Sequence, residues 1–294
     1  MKVLVTGAGG ALGREVVAHL RGTGWTVRAL DRAPVAADAA DEVVTGELLA
    51  PGILDGALHA VDAVVHTAAI PSPDSAPHDE VFGNNVQATY RVLDAAGRHG
   101  VGRAVNVSSL SALGIAFSES GAGPLGVPVT EEHPFVGDDV YGLSKYLGEI
   151  TADAAARRWG MTIASLRFPF LGTGDRLRRQ LDRVHRDPGF DRGGLWGWLD
   201  TRDAARAVGA ALTAPLTGPA DGPGPAARTA HTVINVAAPD TSALEPTAEL
   251  LRRYHPHARL DEPLDGFTVP FSLHRSRELL DFTPRHSWRG GQPV

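Results

Sequence analysis

The sequence predicts an α/β fold: a doubly wound parallel sheet of about seven strands, helices on both faces, and a small C-terminal cap. Three observations carry that reading. Short β-branched runs alternate with amphipathic helical stretches along most of the chain. A glycine-rich turn joins the first run to the first helical stretch. At 294 residues the chain is long enough for one large α/β unit.

The strands follow in order. Lys2–Thr6, Thr26–Asp31, Glu42–Thr45 and Ala63–Thr67 are the first four runs, and Arg103–Ser108, Thr162–Arg167 and Thr232–Val236 the last three. Each is short and rich in Val, Ile, Leu or Thr, as strands covered on both faces require. Between them the apolar residues fall at helical spacing over Leu12–Arg21, Pro51–Leu58, Asn85–His99, Tyr141–Trp159, Thr201–Leu212 and Ala243–Tyr254. Asp203 reads as the cap of the helix near whose start it stands. Three stretches break the alternation: Gly114–Asp139, Gly172–Gly197 and Pro215–Thr229. The first two are expected to border a ligand and the third to be an exposed, flexible connector. The division expected is one unit over 1–294, with 1–170 mainly a nucleotide-binding core and 171–294 mixing core with cap segments.

Composition narrows the functional classes. Net charge is −6, which favours neither nucleic acid nor an anionic membrane as partner. With no cysteine there is no disulfide, thiolate nucleophile or thiolate-ligated metal. The 12 histidines show no metal-ligand spacing, so no catalytic metal is expected. Met1-Lys2 leads straight into a strand without a signal-peptide pattern, and no apolar run reaches bilayer length. A cytoplasmic location is the expectation.

Thr6-Gly7-Ala8-Gly9-Gly10-Ala11-Leu12-Gly13 follows a strand and opens a helix. Glycines at 7, 10 and 13 let the backbone turn tightly, approach a pyrophosphate and pack helix on strand. The N–H groups near Ala11 and Leu12 would then face phosphate at a helix N-terminus. This is the Rossmann-type arrangement, with G-x-x-G-x-x-G spacing. Asp31 ends the second strand, where a carboxylate can accept from the adenosine ribose hydroxyls and repel a 2′-phosphate, favouring NAD. Arg32 beside it could hold that phosphate, which keeps NADP open.

Tyr141-Gly142-Leu143-Ser144-Lys145 places a phenol and an ammonium four residues apart on one helix face. A nearby ammonium favours the phenolate, so the pair can pass a proton near neutral pH. Beside a nucleotide loop, this suggests redox chemistry at an oxygen-bearing carbon. Alone, either motif would read as ordinary helix or turn.

Together these segments resemble an extended short-chain dehydrogenase/reductase, the NAD-dependent epimerase/dehydratase superfamily. Further matching segments are Val64-Val65-His66-Thr67-Ala68-Ala69, Asn85-Val86-Gln87-Ala88-Thr89, Val107-Ser108-Ser109, Leu166-Arg167-Phe168-Pro169 and Leu199-Asp200-Thr201-Arg202-Asp203. The resemblance runs from Lys2 to about Trp288. It implies Tyr141 as catalytic acid/base, Lys145 as the residue that lowers its pKa and holds the nicotinamide ribose, and Ser109 as the hydroxyl orienting substrate oxygen. It also implies Asn85 near the cofactor, Ala68 and Ala69 along its trough, Pro169 against nicotinamide, and Glu47-Leu48 beside adenine. Homodimers through the Asn85 and Tyr141 helices are common in such proteins, and the exposed faces here permit one.

The expected activity is NAD(P)-dependent dehydrogenation or reduction of a secondary alcohol or ketone, on a sugar or polyketide-like substrate. Gly172–Gly197 is short for a nucleotide-sugar pocket, and Leu110-Ser111 stands where a 4,6-dehydratase has an Asp-Glu pair. The cap also resembles the uronate dehydrogenases, although their carboxylate-binding arginine falls at Gly193, with Arg192 one position away. Trp196 and Trp198 are candidates for the pocket wall or for packing. Arg176, Arg178 and Arg179 are candidates for an anionic group or a solvated face. The alternatives are a nucleotide-sugar 4-epimerase with tightly bound NAD and a non-catalytic dinucleotide-sensing regulator.

Overall fold

The computed structural model describes residues 1–216 and 230–290. Its strands are β1 (Lys2–Thr6), β2 (Thr26–Asp31), β3 (Glu42–Thr45), β4 (Ala63–His66), β5 (Arg103–Ser109), β6 (Gly126–Val127), β7 (Thr162–Phe168), β8 (Phe170–Leu171), β9 (Trp198–Leu199), β10 (Ala230–Asn235) and β11 (Arg259–Leu260). Its α-helices are α1 (Ala11–Gly22), α2 (Ile53–Ala57), α3 (His78–Arg98), α4 (Val140–Trp159), α5 (Gly174–Arg186), α6 (Thr201–Thr213), α7 (Thr247–Tyr254) and α8 (His274–Leu280).

Seven strands form one parallel sheet in the order β10-β7-β5-β4-β1-β2-β3. The order reverses between β1 and β4, so a crevice opens at the carboxyl ends of those strands. One face of the sheet packs on α1, α6 and α8 through Val16, Leu20, Ala204, Val208 and Leu280. The other packs on α2, α3 and α4 through Leu54, Val92, Leu93, Ala152 and Ala156. Because both faces are covered, consecutive residues of the inner strands are buried rather than alternating with exposed ones, Val3-Leu4-Val5 and Ala63-Val64-Val65 among them. A third apolar cluster, around Leu113, Val127, Trp196, Leu250 and Phe271, seats the cap segments above the strand ends. Two short parallel pairs, β6 with β11 and β8 with β9, tie those segments together. Among the described residues no helix is long and apolar enough to cross a membrane.

The sheet and the doubly wound layering match the expectation; helix α8 and the short strands β6, β8, β9 and β11 are additional to it, and three further elements depart from it. The segment 174–186, expected as irregular, is helix α5; most of its residues are polar and Val184 is its one buried residue. Helix α3 starts at His78 rather than Asn85, with Asp79 and Glu80 in its first turn where the helix dipole favours them. Helix α7 starts at Thr247 rather than Ala243, because Pro246 stands at its N-cap and disfavours helix in the residue before it. Asp203 is not a cap. Asp200 holds that position and accepts the Arg202 N–H at 2.9 Å. Asp203 is fully buried and accepts the N–H groups of Arg285 and His286 at 2.9 Å each, anchoring the C-terminal segment. The connector expected over Pro215–Thr229 lies almost wholly outside the described residues.

Candidate active site

Two adjoining cavities run along the carboxyl edge of the sheet. The smaller, of about 450 Å³, is lined by Gly9, Asp31, Arg32, Glu47, Leu48 and Ala68 among others. The larger, of about 810 Å³, is lined by Ala11, Leu12, Ser109, Tyr141, Lys145 and Pro169 among others. Gly7, Gly10 and Ala69 border both, so one trough joins them.

The glycine loop is shaped by close approach. Gly7 takes φ +71°, and a Cβ there would stand 2.6 Å from the Ala68 nitrogen. A Cβ on Gly13 would overlap the Gly7 carbonyl oxygen and stand 2.9 Å from the Ala8 Cα. Helix α1 begins after Gly10 with no side chain capping it. Its first N–H groups therefore open onto the trough, the arrangement that receives phosphate. Gly13→Ala should consequently weaken NADH binding more than roughly tenfold and cost about 1–3 kcal/mol of stability. Fluorescence titration and urea unfolding would measure the two.

Asp31 is held from both sides. Its Oδ2 accepts the Gly9 N–H and its Oδ1 the Ala33 N–H, each at 2.9 Å. Each oxygen keeps a lone pair for a further donor. Arg32 is exposed on the same wall.

At the other end, β5 delivers Ser109 and α4 delivers Tyr141 and Lys145. Asp139 caps α4 by accepting the Gly142 N–H at 2.6 Å. A Cβ at Gly142 would stand 2.5 Å from the Ser111 carbonyl, so glycine lets the helix start abut the turn that follows Ser109. Ser109 Oγ donates to Ser111 Oγ at 3.0 Å and accepts the Ser111 N–H at 3.1 Å. Lys145 Nζ donates to the Val107 carbonyl at 2.9 Å and stands 5.9 Å from the Tyr141 ring centroid.

Burial governs the charges here. It pushes the Tyr141 phenol up to about 12, against the lowering hydrogen bond of the Ser109 hydroxyl. It pulls Lys145 down to about 8, against the attraction of Glu149. The spacing predicts that the ammonium draws the phenol down. In this geometry Lys145 Nζ is given to the Val107 carbonyl, and desolvation, which penalises both charged forms, is the larger influence on each group.

Asn85 lines neither cavity. Its amide accepts the Ile70 N–H at 2.8 Å and donates at 3.1 Å to both the Ile70 carbonyl and Ser144 Oγ. It therefore clamps the trough-lining loop after β4 to the helix that carries Tyr141 and Lys145. Trp196 and Trp198 are buried in packing and line neither cavity. Arg176 lines the larger cavity, while Arg178 pairs with Asp175 on the exposed face of α5 and neither Arg178 nor Arg179 lines a cavity. Arg192 is exposed and lines neither. His66 is buried between Thr6 Oγ1 at 2.8 Å and Thr89 Oγ1 at 3.4 Å, and burial drives it down to about 3, so it stays neutral.

Sequence reasoning missed Arg183 and Asp191, which line the larger cavity, and the buried pair Glu149–Arg167 beneath the site. Arg183 follows Arg176 by two helical turns, which was the available signal; a lone aspartate in Asp191-Arg192-Gly193-Gly194 gives none.

A seven-stranded parallel sheet, an uncapped glycine turn and a carboxylate at the end of the second strand define a dinucleotide-binding α/β protein. The chain belongs to the NAD dependent epimerase/dehydratase family, whose sequence model matches residues 3–223. It is 29% identical over 168 residues to a uronate dehydrogenase from Pseudomonas putida, covering 56% of this chain and 59% of that protein. The chain thus spans under two thirds of that relative's length. It is 30% identical over 220 residues to an L-arabinose 1-dehydrogenase (NAD(P)(+)) from Haloferax volcanii, covering 72% and 84% of the two chains. In structure it is similar to a short-chain dehydrogenase/reductase superfamily protein from Agrobacterium tumefaciens crystallised with NAD, with a TM-score of 0.70, 28% identity, and coverage of 98% and 93%.

Proposed function

We propose that this chain is an NAD-dependent dehydrogenase/reductase acting on a secondary alcohol or ketone of a small sugar-like substrate. The observation that carries the reading is the convergence of Ser109, Tyr141 and Lys145 on the cavity into which the glycine loop opens. The relatives that oxidise a uronate or an arabinose support the substrate class. NAD, when bound, supplies the hydride acceptor and a positive charge. The chain's residues fit it: the uncapped start of α1 for the pyrophosphate, Asp31 for the adenosine ribose, and the wall at Glu47 and Leu48 for adenine.

In the oxidative direction, Tyr141 Oη accepts the carbinol proton while Ser109 Oγ donates to the same oxygen and fixes its orientation. In reduction Tyr141 returns the proton. Lys145 keeps an ammonium beside the phenol below pH of about 8 and offers its remaining donors to the ribose. A cavity of about 810 Å³ accommodates a monosaccharide beside the nicotinamide end of the trough.

The direct test follows NADH absorbance with a panel of aldoses, uronates and simple secondary alcohols. Net NADH formation with one of them supports the reading. Protein that arrives with stoichiometric NAD and interconverts nucleotide sugars without net NADH would replace it with 4-epimerisation. NAD(H)-dependent binding of a partner without turnover would replace it with a sensing role.

Cofactor choice gives a separate expectation. Asp31→Asn removes the charge that opposes a 2′-phosphate while keeping an acceptor for Gly9. The ratio of NADP to NAD affinity should rise by roughly tenfold in titrations with both cofactors. An unchanged ratio would remove Asp31 from the ribose site.

A further inference from the structure

Asp191 ends a short turn, Pro188–Asp191, that follows α5, and it lines the larger cavity on the same wall as Arg183. Its setting is firmly built. Asp187 Oδ1 accepts the Gly189 N–H at 2.9 Å and fixes the turn. Trp196, fully buried, donates its indole N–H to the Pro188 carbonyl at 2.8 Å and its backbone N–H to the Asp191 carbonyl at 3.3 Å. Leu195 and Trp196 hold left-handed φ values of 50° and 56°, conformations that cost side-chain-bearing residues energy. A Cβ on Gly194 would stand 3.0 Å from the Asp191 carboxyl carbon, so glycine leaves room for that group.

Within this cradle the carboxyl is unpartnered. Its Oδ2 is sealed from solvent and has no hydrogen bond among the described residues. Burial pushes its pKa up to about 7. The cavity's arginines are engaged elsewhere: Arg176 donates to the Leu171 carbonyl and lies over Phe170, and Arg183 lies over Phe190. A buried carboxyl oxygen without a partner carries a desolvation cost. A ligand hydroxyl offsets part of that cost at the carboxyl oxygen it reaches, because it can donate to the carboxylate or exchange donor and acceptor roles with the neutral acid. An apolar ligand leaves the cost in place, and a carbonyl relieves it only when the carboxyl is protonated.

We propose that Asp191 is a specificity-determining residue that exchanges a hydrogen bond with a hydroxyl of a polyhydroxylated substrate, on a carbon other than the one that undergoes redox. This rests on the dehydrogenase reading and adds the group that selects the substrate.

The test uses protein loaded with NADH and calorimetric titration with aldopentoses, aldohexoses, uronates and their monodeoxy forms. For the tightest binder, Asp191→Leu should weaken affinity by roughly tenfold or more, as losing a site built for a hydroxyl does, and Asp191→Asn by less. One monodeoxy form should bind wild type and Asp191→Leu alike. In turnover the loss should fall mainly on KM. Retained NADH affinity shows that the variants are folded. If Asp191→Leu does not fold, the comparison of wild type with Asp191→Asn across the deoxy series decides. Equal affinity of wild type and Asp191→Leu for every sugar, a loss shared equally by all deoxy forms, or no sugar binding at all would overturn the proposal. Sugar binding that depends on Asp191 without any NADH formation would overturn the dehydrogenase reading alone.

Discussion

Tyr141→Phe should lower turnover by about a hundred- to ten-thousand-fold, the usual worth of a positioned acid/base. NADH affinity should stay within a few-fold of wild type, since the phenol oxygen is lost and the ring remains. The ring is 8% exposed and packs edge-on against Phe117 at 5.8 Å, so Phe keeps the local packing. The pH dependence has a definite sign. Oxidation needs the base form, and burial holds the phenol above its ordinary value, up to about 12. Wild-type oxidation should therefore rise with pH, and reduction, which uses the acid form, should fall only as pH approaches that value. The Phe variant should show neither trend. Steady-state rates in both directions across pH would check this, and an unchanged kcat in the variant would remove Tyr141 from catalysis.

Arg167→Met should cost about 3–5 kcal/mol of stability, the largest structural effect expected in the chain. Arg167 donates to both Glu149 oxygens, at 2.8 Å from Nε and 2.7 Å from Nη2, with the two side chains 4% and 5% exposed. Ser108 Oγ donates to the same carboxylate at 2.5 Å. The network bolts α4 to β5 and β7 one helical turn beyond Lys145. Removing the arginine leaves a carboxylate buried without its cation. Replacing both partners, as in Arg167→Met with Glu149→Leu, should recover much of the loss, because the desolvation penalty goes with the charges. Urea unfolding of the three variants would measure it. A single variant as stable as wild type would show that the pair is energetically idle.

The sheet was legible in the sequence because its strands are buried on both faces and so read as near-continuous apolar runs, Val3-Leu4-Val5 and Ala63-Val64-Val65 among them. Helix α5 was not, although Leu177, Leu181 and Val184 stand at helical spacing, because that narrow apolar stripe lies in a segment otherwise dense in Arg and Asp and flanked by glycines. The start of α3 was hidden for a related reason: Val81 is the sole buried residue before Asn85, leaving only the acidic first turn as a signal. Within the site, the glycine loop and the Tyr141/Lys145 pair are local patterns, visible because their spacing is fixed by one turn or one helix. Asp191 and the Glu149–Arg167 pair are not local. Their meaning comes from what the fold withholds or supplies around them, a missing partner in one case and a buried cation in the other.

The strand order carries a consequence for how the molecule holds together. Strand β10, from the far end of the chain, completes the sheet by pairing in parallel with β7 along six residues, from Ala230 opposite Thr162 to Asn235 opposite Arg167. A fragment ending near residue 170 would keep the glycine loop and the Tyr141/Lys145 helix yet expose β7 as a raw edge. The last hydrogen-bond ladder of the nucleotide half is supplied by sequence from the part of the chain that also carries the cap. The two ends of the trough should therefore unfold together in urea, and a ligand bound at one end should stabilise the other.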